Sequence, residues 1–258
     1  MQIEWVDHGS GVAEWAMQRP EVLNALGMEM AQTLVSFTDQ ARDMKELRAV
    51  VITSRVERAF SVGADLKERR TMTSAEMDFH TSLLRKAFEA IEQLPVPALA
   101  AVQGFCLGGG MEMAMCADLR ISSDDAVFGL PEVSLGAFPG AGGAVRLPRI
   151  IGMSRALDLL FTGRRISGNE AMQLGFVNRL ASKEEVRRQA LEVASTIAAN
   201  GPLGVRAIKR LVRLSQDMEL RGAFAFSDVL RTSLNDTRDY REALAAFSER
   251  RPPQFTGC

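Results

Sequence analysis

Two isolated carboxylates are the residues of this sequence whose surroundings most suggest chemistry. Glu112 is the only charged residue in positions 93–117, and Glu132 is the only one in positions 126–145. Burying an unpaired carboxylate costs several kcal/mol, so such a group is usually paired, protonated or used in a reaction. The residues alone leave two interpretations open, acid–base chemistry and a structural ion pair with an arginine such as Arg146.

Two glycine-bounded helix starts are the second feature that could support chemistry. One lies at Gly63, which is followed by Ala64, and the other lies near Gly109 in a run of three glycines. A helix N-terminus offers backbone N–H groups without acceptors, and glycine lets a ligand approach the backbone closely. Two such N–H groups on one oxygen would form an oxyanion hole for a carbonyl that gains negative charge. Together with the carboxylates, the pattern predicts acid–base chemistry beside a polarised carbonyl, without a metal or redox cofactor.

Nucleotide, metal and nucleophile chemistries fit the sequence less well. A dinucleotide fingerprint needs a glycine at its sixth place, where counting from Gly108 gives Met113. The two histidines, His8 and His80, are not near other candidate ligands in the sequence. A Gly-x-Ser-x-Gly nucleophile motif is also missing from the sequence.

The composition is that of a globular protein and argues against several classes of partner. The formal net charge of −1 gives no electrostatic reason to expect nucleic acid or an anionic membrane. The apolar runs are shorter than the ~20 residues that a membrane-spanning helix needs. The first residues do not resemble a signal peptide, and three cysteines without paired spacing suggest free thiols, so we expect a cytoplasmic location. A basic row near the C-terminus predicts an exposed helix face or a subunit contact: Arg206, Lys209, Arg210 and Arg213.

The residue pattern predicts alternating strands and helices that would position these groups. Strand–helix–strand alternation is typical of α/β units, in which ligands bind at the carboxyl ends of the strands. We expect residues 1–195 to form a core that holds the active site, and residues 196–258 to form a helical appendage. Segments 54–62 and 104–108 are predicted as a loop and a turn. The predicted elements are a hairpin over 3–17, strands over 48–53, 98–102 and 119–122, and helices over 28–44, 74–94, 183–199 and 202–213.

Seven short segments, in register from near residue 3 to Phe255, make the sequence similar to the crotonase superfamily, the enoyl-CoA hydratase/isomerase proteins. Each segment alone is weakly specific, whereas seven in the same order and spacing are highly specific. The segment Ala-Phe-Ser-Val-Gly-Ala-Asp-Leu-Lys occupies 59–67, and Gly-Phe-Cys-Leu-Gly-Gly-Gly-Met-Glu occupies 104–112. The other segments are 23–26, 95–97, 118–120, 131–132 and 139–143.

The resemblance implies an α/β fold, a spiral of ββα repeats with a C-terminal helical trimerisation region. It implies self-association as a homotrimer or a dimer of trimers. It also implies an acyl-CoA thioester as substrate, so coenzyme A is part of the substrate and no separate cofactor or metal is expected. Neither nucleic acid nor a membrane is expected as a partner.

The resemblance also implies roles for individual residues. Glu112 and Glu132 correspond to the two catalytic glutamates of the hydratases, and the N–H groups of Ala64 and Gly109 correspond to the oxyanion hole. Asp65 could equally serve to cap the helix that follows it. The residues expected along the substrate and its coenzyme A are Val22, Leu23, Leu26, Ala64, Asp65, Leu66, Lys67, Gly109 and Pro131.

Because both glutamates are present, the resemblance favours a 2-enoyl-CoA hydratase, which adds water in the syn sense to a trans-2-enoyl-CoA. In this hypothesis Glu112 acts as base on the water and Glu132 delivers the proton. A branched-chain hydratase of the methylglutaconyl type is a rival hypothesis, because segments 64–69 and 72–76 are similar to those enzymes. Two further hypotheses are a 3-enoyl/2-enoyl-CoA isomerase and a non-catalytic paralogue that binds coenzyme A.

Overall fold

Two β-sheets form the framework of the chain, whose computed structural model describes residues 2–258. The larger sheet has six strands in the order β1-β2-β3-β5-β7-β10, and the smaller has four in the order β4-β6-β8-β9. The strands are β1 (Ile3–Asp7), β2 (Val12–Met17), β3 (Ala49–Ser54), β4 (Ala59–Ser61), β5 (Ala98–Val102), β6 (Phe105–Leu107), β7 (Leu119–Ser123), β8 (Val127–Gly129), β9 (Ile166–Ser167) and β10 (Arg179–Ala181).

Eleven α-helices pack around and beyond these sheets within residues 2–258. They are α1 (Met28–Asp43), α2 (Leu66–Arg69), α3 (Ser74–Glu92), α4 (Gly109–Cys116), α5 (Gly143–Ile151), α6 (Met153–Thr162), α7 (Gly168–Gln173), α8 (Val186–Ala198), α9 (Pro202–Ser215), α10 (Leu220–Leu234) and α11 (Arg238–Glu249). None of these helices is long and apolar enough to cross a membrane.

The chain alternates between the two sheets in a repeated ββα path. β3, β5 and β7 are parallel neighbours in the larger sheet, and β4, β6 and β8 are parallel neighbours in the smaller one. Each of these strands of the larger sheet leads into one strand of the smaller sheet, and helices follow before the next turn of the path. The predicted α/β spiral of ββα repeats is therefore confirmed.

The long elements agree with the sequence pattern. α3 begins at a capping box in which the Thr73 hydroxyl accepts from Glu76 N–H while the Glu76 carboxylate accepts from Thr73 N–H. In the hairpin, the rings of Trp5 and Trp15 lie 5.7 Å apart, with Phe37 of α1 against both.

Two segments predicted as a loop and a turn contain short strands instead. β4 lies inside 54–62 and β6 lies inside 104–108, each only three residues long. A three-residue strand is too short to show a periodic pattern, and its identity depends on partners distant in the sequence. The prediction of irregular structure was therefore wrong at the two strands that precede the candidate site.

Both faces of the larger sheet are buried, which explains the continuous apolar run of β3. Val50 and Ile52 face the main core between the sheets and α1, α3 and α4. Ala49 and Val51 face a second core covered by α8. A parallel strand buried on two sides reads as an unbroken apolar stretch.

Three residues of the basic row attach α9 to the core, and the exposed face predicted for the row is found at Arg210 alone. The alternative prediction of a subunit contact stays a prediction. Lys209 Nζ lies 2.7 Å from Asp118 Oδ2, and Arg213 Nη2 lies 2.8 Å from Asp118 Oδ1. Arg206 donates to the carbonyls of Lys45 and Leu47. These acceptors come from distant loops and strand ends, so the spacing along α9 alone could not identify them.

The packing of α4 on β4 generates a stability prediction at Gly110. A methyl group at Gly110 would collide with the Ser61 carbonyl oxygen, a backbone atom that cannot rotate away. We expect Gly110→Ala to lower the free energy of unfolding by about 1–3 kcal/mol, as is typical of overpacking. Gly204→Ala is the matched control, because nothing lies within 4 Å of the added methyl group. The control should be neutral or stabilise by about 0.5–1 kcal/mol. Urea unfolding of both variants measures the difference, and equal midpoints would contradict this packing.

Candidate active site

Three adjacent strands of the smaller sheet deliver the predicted site residues to one edge. Ala64 follows β4, Gly109 follows β6 and Glu132 follows β8. Because β4, β6 and β8 are parallel, their carboxyl ends meet at the same edge. This edge is where α/β folds place ligand chemistry.

Glu112 lies in the first turn of α4 and is only 3% exposed. Its Oε1 accepts hydrogen bonds from the N–H groups of Gly143 at 2.7 Å and Ala141 at 2.9 Å. Burial raises the pKa of Glu112 to about 7; the Gly143 N–H opposes this rise, and the charge of Glu132 adds to it. A carboxyl group with this pKa can gain and lose a proton near neutral pH. Gly143 leaves room for it, since a methyl group there would lie 3.0 Å from Glu112 Oε1.

Glu132 lies in a 3-10 turn that spans Pro131–Leu135. Its Oε2 is buried and has no hydrogen-bond partner among residues 2–258. Burial raises the pKa of Glu132 as well. A buried carboxyl oxygen without a partner is unusual in a folded protein and is expected where a substrate or water binds.

The candidate oxyanion donors lie side by side. A methyl group at Gly109 would lie 3.6 Å from Ala64 N, and one at Gly63 would lie 3.0 Å from Gly109 N. Neither Ala64 N–H nor Gly109 N–H donates a hydrogen bond within the described part of the chain. Gly63 has φ +90°, a backbone conformation that a larger residue would adopt only with strain. Two adjacent N–H groups without acceptors can both bind one carbonyl oxygen.

The segment around Leu26 forms the neighbouring wall. Leu26 N–H donates to Gly63 O at 2.8 Å, and Asp65 N–H donates to Leu26 O at 3.1 Å. Val62 N–H donates to Leu23 O, and the Leu26 side chain lies against Gly109. The structure therefore places Leu26 beside both candidate oxyanion donors, and Leu23 beside Val62, two residues before Ala64.

The Asp65 carboxylate serves as a helix cap. Its Oδ1 accepts from Lys67 N–H and Glu68 N–H, and its Oδ2 lies 2.9 Å from Arg19 Nη2. Burial works in the opposite direction, but the Glu68 hydrogen bond and the Arg19 charge hold the pKa of Asp65 below its usual value. These contacts show the capping role that the sequence left open.

The remaining residues predicted to contact the substrate are exposed or half-buried. Leu66 is 55% exposed on α2, and Lys67 beside it is also exposed. Val22 and Pro131 are half-buried, each in a short 3-10 turn. Their contact with a ligand stays a prediction.

Asn24 is a supporting residue that sequence reasoning did not single out. It is buried with φ +55°, and its side chain donates to Ser54 Oγ and to Phe60 O while accepting from Arg19 N–H. These bonds fix the segment that carries Leu26. The available signal was the residue type, because asparagine tolerates the left-handed region better than most residues.

The ion-pair interpretation of the two glutamates is wrong. Arg146 pairs with Glu92, at 2.8 Å, and neither Glu112 nor Glu132 forms an ion pair within residues 2–258. The described residues also contain no cluster of three or more histidine, cysteine, aspartate or glutamate side chains arranged to hold a metal ion.

Comparison with known proteins identifies the family of the chain. The family model for enoyl-CoA hydratase/isomerase matches residues 7–258. A probable mitochondrial enoyl-CoA hydratase 2 of Arabidopsis thaliana is 40% identical over 248 residues, covering 96% of this chain and 82% of the relative. The mitochondrial methylglutaconyl-CoA hydratase of Mus musculus is 34% identical over 255 residues, covering 97% and 81%.

A solved structure of similar fold supports the same assignment. The crystal structure of an enoyl-CoA hydratase from Bacillus anthracis superposes with a TM-score of 0.98 at 35% identity, and the match covers 100% of both chains. The chain therefore belongs to the enoyl-CoA hydratase/isomerase family of the crotonase superfamily.

Proposed function

We propose that the protein is a 2-enoyl-CoA hydratase, which adds water in the syn sense across the 2,3 double bond of a trans-2-enoyl-CoA thioester. The observation that carries this proposal is the pair of desolvated carboxylates, Glu112 and Glu132, beside two unoccupied backbone N–H groups. Family membership supports an enzyme that acts on acyl-CoA thioesters. Two carboxylates are what hydration needs, because one water must be deprotonated while one carbon is protonated.

In the proposed mechanism the thioester oxygen accepts hydrogen bonds from the N–H groups of Ala64 and Gly109. Polarisation of the carbonyl makes C3 electron-poor, and water attacks C3 as Glu112 removes its proton. The electron pair of the double bond moves toward the thioester oxygen, where the N–H groups stabilise the enolate. C2 then takes a proton from Glu132. Passage of the proton held by Glu112 back to Glu132 restores both carboxyl groups.

The surroundings of the two carboxyl groups support this division of roles. Glu112 Oε1 is occupied by two N–H donors, which favour the ionised form and leave the other oxygen for the water. Glu132 Oε2 lies buried without a donor, so burial favours the protonated form. Neighbouring groups whose environments differ in this way can divide the roles of base and acid.

We infer that the enzyme uses no cofactor beyond the coenzyme A that the substrate carries. The exposed side chains of Leu66 and Lys67, next to the oxyanion donors, are suited to contact the coenzyme A portion. Leu23 and Leu26, in the segment that pairs with the backbone of residues 62–65, are the apolar side chains proposed to contact the substrate. A cytoplasmic location is supported by Cys106, Cys116 and Cys258, all of which are free thiols.

We also propose self-association as a homotrimer or dimer of trimers through the helical region 196–258. α10 buries none of its residues within the chain, although it is rich in apolar side chains. Exposed apolar area of this extent marks an interaction surface. A second copy of the chain is the partner we assign to it, with neither nucleic acid nor a membrane required. Large exposed apolar side chains of this region include Leu220, Phe224, Val229, Leu244 and Phe247.

Arg69 favours a second candidate function, hydration of a branched enoyl-CoA that carries a distal carboxylate. Its guanidinium donates to Thr81 Oγ1 at 2.8 Å and to His80 Nδ1 at 3.4 Å, and it forms no ion pair within residues 2–258. Burial lowers the pKa of His80, so the imidazole is neutral. Thr81 packs against Gly140, which adjoins the Ala141 N–H that binds Glu112. The uncompensated charge therefore lies close to the site and suits a substrate of the methylglutaconyl type.

The hydratase proposal predicts that either glutamate is required for turnover. With crotonyl-CoA, we expect Glu112→Gln and Glu132→Gln to lower kcat about 10²–10⁴-fold, because each removes one proton-transfer group. The measurement is loss of the conjugated thioester absorbance. Unchanged thermal unfolding and retained binding of coenzyme A are the controls.

Full turnover in either variant would remove that residue from the mechanism. A wild-type protein that binds coenzyme A without hydrating crotonyl-CoA or branched enoyl-CoA thioesters would contradict the hydratase proposal. Isomerisation of a 3-enoyl-CoA would then indicate an isomerase, and binding without any turnover would indicate a non-catalytic protein.

The pKa of Glu112 predicts the acid limb of the pH profile. The base must be ionised to accept the proton of water, and the pKa of Glu112 is raised to about 7. We therefore expect kcat/KM for crotonyl-CoA to fall about tenfold per pH unit below about 7. Burial raises the pKa of Glu132 as well, which is the direction that its role as acid requires. An activity that stays constant from about pH 5.5 to 7.5 would show that Glu112 is not the base.

The proposed role of Arg69 predicts a preference for a carboxylated enoyl-CoA over crotonyl-CoA. If the second candidate is correct, kcat/KM for 3-methylglutaconyl-CoA exceeds that for crotonyl-CoA in the wild type. Arg69→Met should then lower kcat/KM for the carboxylated substrate about 10–100-fold, the value of one charge-assisted hydrogen bond. Turnover of crotonyl-CoA should change less than about threefold. The exposed neighbour Arg70 supplies the control variant Arg70→Met. Equal losses with both substrates would rule out carboxylate recognition by Arg69.

A further inference from the structure

The orientation of Glu112 depends on one loop. Among residues 2–258, the hydrogen bonds to its carboxylate come from Ala141 N–H and Gly143 N–H. Ala141 belongs to the connection between the Glu132 turn and α5, and Gly143 is the first residue of α5. Any contact that fixes this loop therefore also fixes the direction in which the free oxygen of Glu112 points.

The Arg146 side chain binds the backbone of this loop. Its Nη1 donates to Ala141 O at 3.1 Å, while Nε and Nη2 donate to Glu92 Oε2 at 3.0 and 2.8 Å. The Arg146 side chain is only 13% exposed. Gly142 has φ +111°, and a methyl group there would collide with Arg146 Nη1. A larger residue at position 142 would therefore displace the guanidinium from its contacts, and the positive φ favours glycine independently.

Glu92 extends these contacts to the C-terminal helices. Its second oxygen, Oε1, lies 2.6 Å from Arg213 Nη1 on α9, and Arg213 also pairs with Asp118. A cavity of about 1020 Å³ lies between the core and α9 and α10, and Glu92, Arg146 and Arg213 line it. Ion pairs along the wall of this cavity therefore connect α9 to the loop that binds Glu112.

We propose that Arg146 is a positioning residue for Glu112, and that the Glu92–Arg213 ion pair couples this positioning to the docking of α9. The proposal rests on the proposed function in one respect, the use of Glu112 as base. A planar guanidinium suits this role because it donates in three fixed directions, which the single ammonium of lysine cannot reproduce. A displacement of about 1 Å in a catalytic group costs roughly 10²-fold in rate.

The first test is a kinetic comparison of Arg146→Lys and Arg146→Met with crotonyl-CoA. Because both variants lose the three-directional clamp, we expect kcat to fall about 10–100-fold in each while KM changes less than about threefold. Glu92→Gln and Arg213→Met should produce the same kind of loss with a smaller magnitude. Arg149→Met is the matched control: Arg149 lies on the same helix and lines the same cavity, but it is 58% exposed, and within residues 2–258 its one ion pair is with the exposed Asp217. Its kcat should equal that of the wild type.

The second test follows the Glu112 carboxyl group itself and does not require turnover. A ¹³C NMR titration of labelled glutamates, with the Glu112 signal assigned by its loss in Glu112→Gln, reports the apparent pKa. The charged groups that bear on Glu112 are Glu132 and Arg146. Weaker hydrogen bonds from Ala141 and Gly143 favour the neutral form, so the pKa of Glu112 should rise in Arg146→Lys, in which the positive charge is retained.

Two results would overturn the proposal. One is a wild-type kcat and an unchanged Glu112 titration in Arg146→Lys. This result would show that the positive charge at position 146 is sufficient and that the geometry of the guanidinium is not needed. The other is a lower Tm with unchanged kcat and titration in the folded variants, which would show a purely structural role. A wild-type protein that hydrates no enoyl-CoA would contradict the proposed function alone, because the titration would still reveal whether Arg146 orients Glu112.

Discussion

The desolvated carboxylate of Glu112 is the constraint on which the rest of the site depends. Burial gives it a pKa of about 7, and two backbone N–H groups keep one of its oxygens fixed. Backbone donors carry no side chain that could compete for the proton, so they orient the carboxylate without neutralising it. The orientation of Glu112 therefore depends on the position of the backbone at Ala141 and Gly143, and not on a second ionised side chain. The loop must then be rigid, and Arg146 with its partners supplies the rigidity.

The spiral path explains how three separate segments meet at this carboxylate. β4, β6 and β8 are short, yet their parallel alignment puts the two proposed oxyanion donors and the proposed acid at neighbouring strand ends. Close approach of the strand ends requires Gly63, whose replacement by a larger residue would crowd Leu107 O and Gly109 N. The glycine-rich runs therefore serve close backbone packing around the candidate site.

The sequence predicted those parts of the molecule whose cause is local. Isolated charges identified Glu112 and Glu132, and a capping box with a long amphipathic pattern identified α3. β4 and β6 could not be predicted because strand pairing between segments far apart in the chain determines them. The partner of Arg146 could not be predicted either, since Glu92 lies 54 residues away on another helix. Motif register indicated the proposed catalytic groups, whereas the side chains that hold them depend on tertiary contacts.

The Glu92 carboxylate could link the assembly of the protein to its proposed chemistry. One of its oxygens binds Arg146 behind the active-site loop, and the other binds Arg213 on α9. Loss of either arginine leaves the partly buried Glu92 carboxylate with one positively charged partner instead of two. The remaining ion pair would then change its geometry. If α9 and α10 lie in the interface between copies of the chain, then docking of a second copy fixes Arg213, and through Glu92 it fixes Arg146. Proposed self-association would in this way order the loop that orients Glu112, so the helical region contributes to catalysis without touching the substrate.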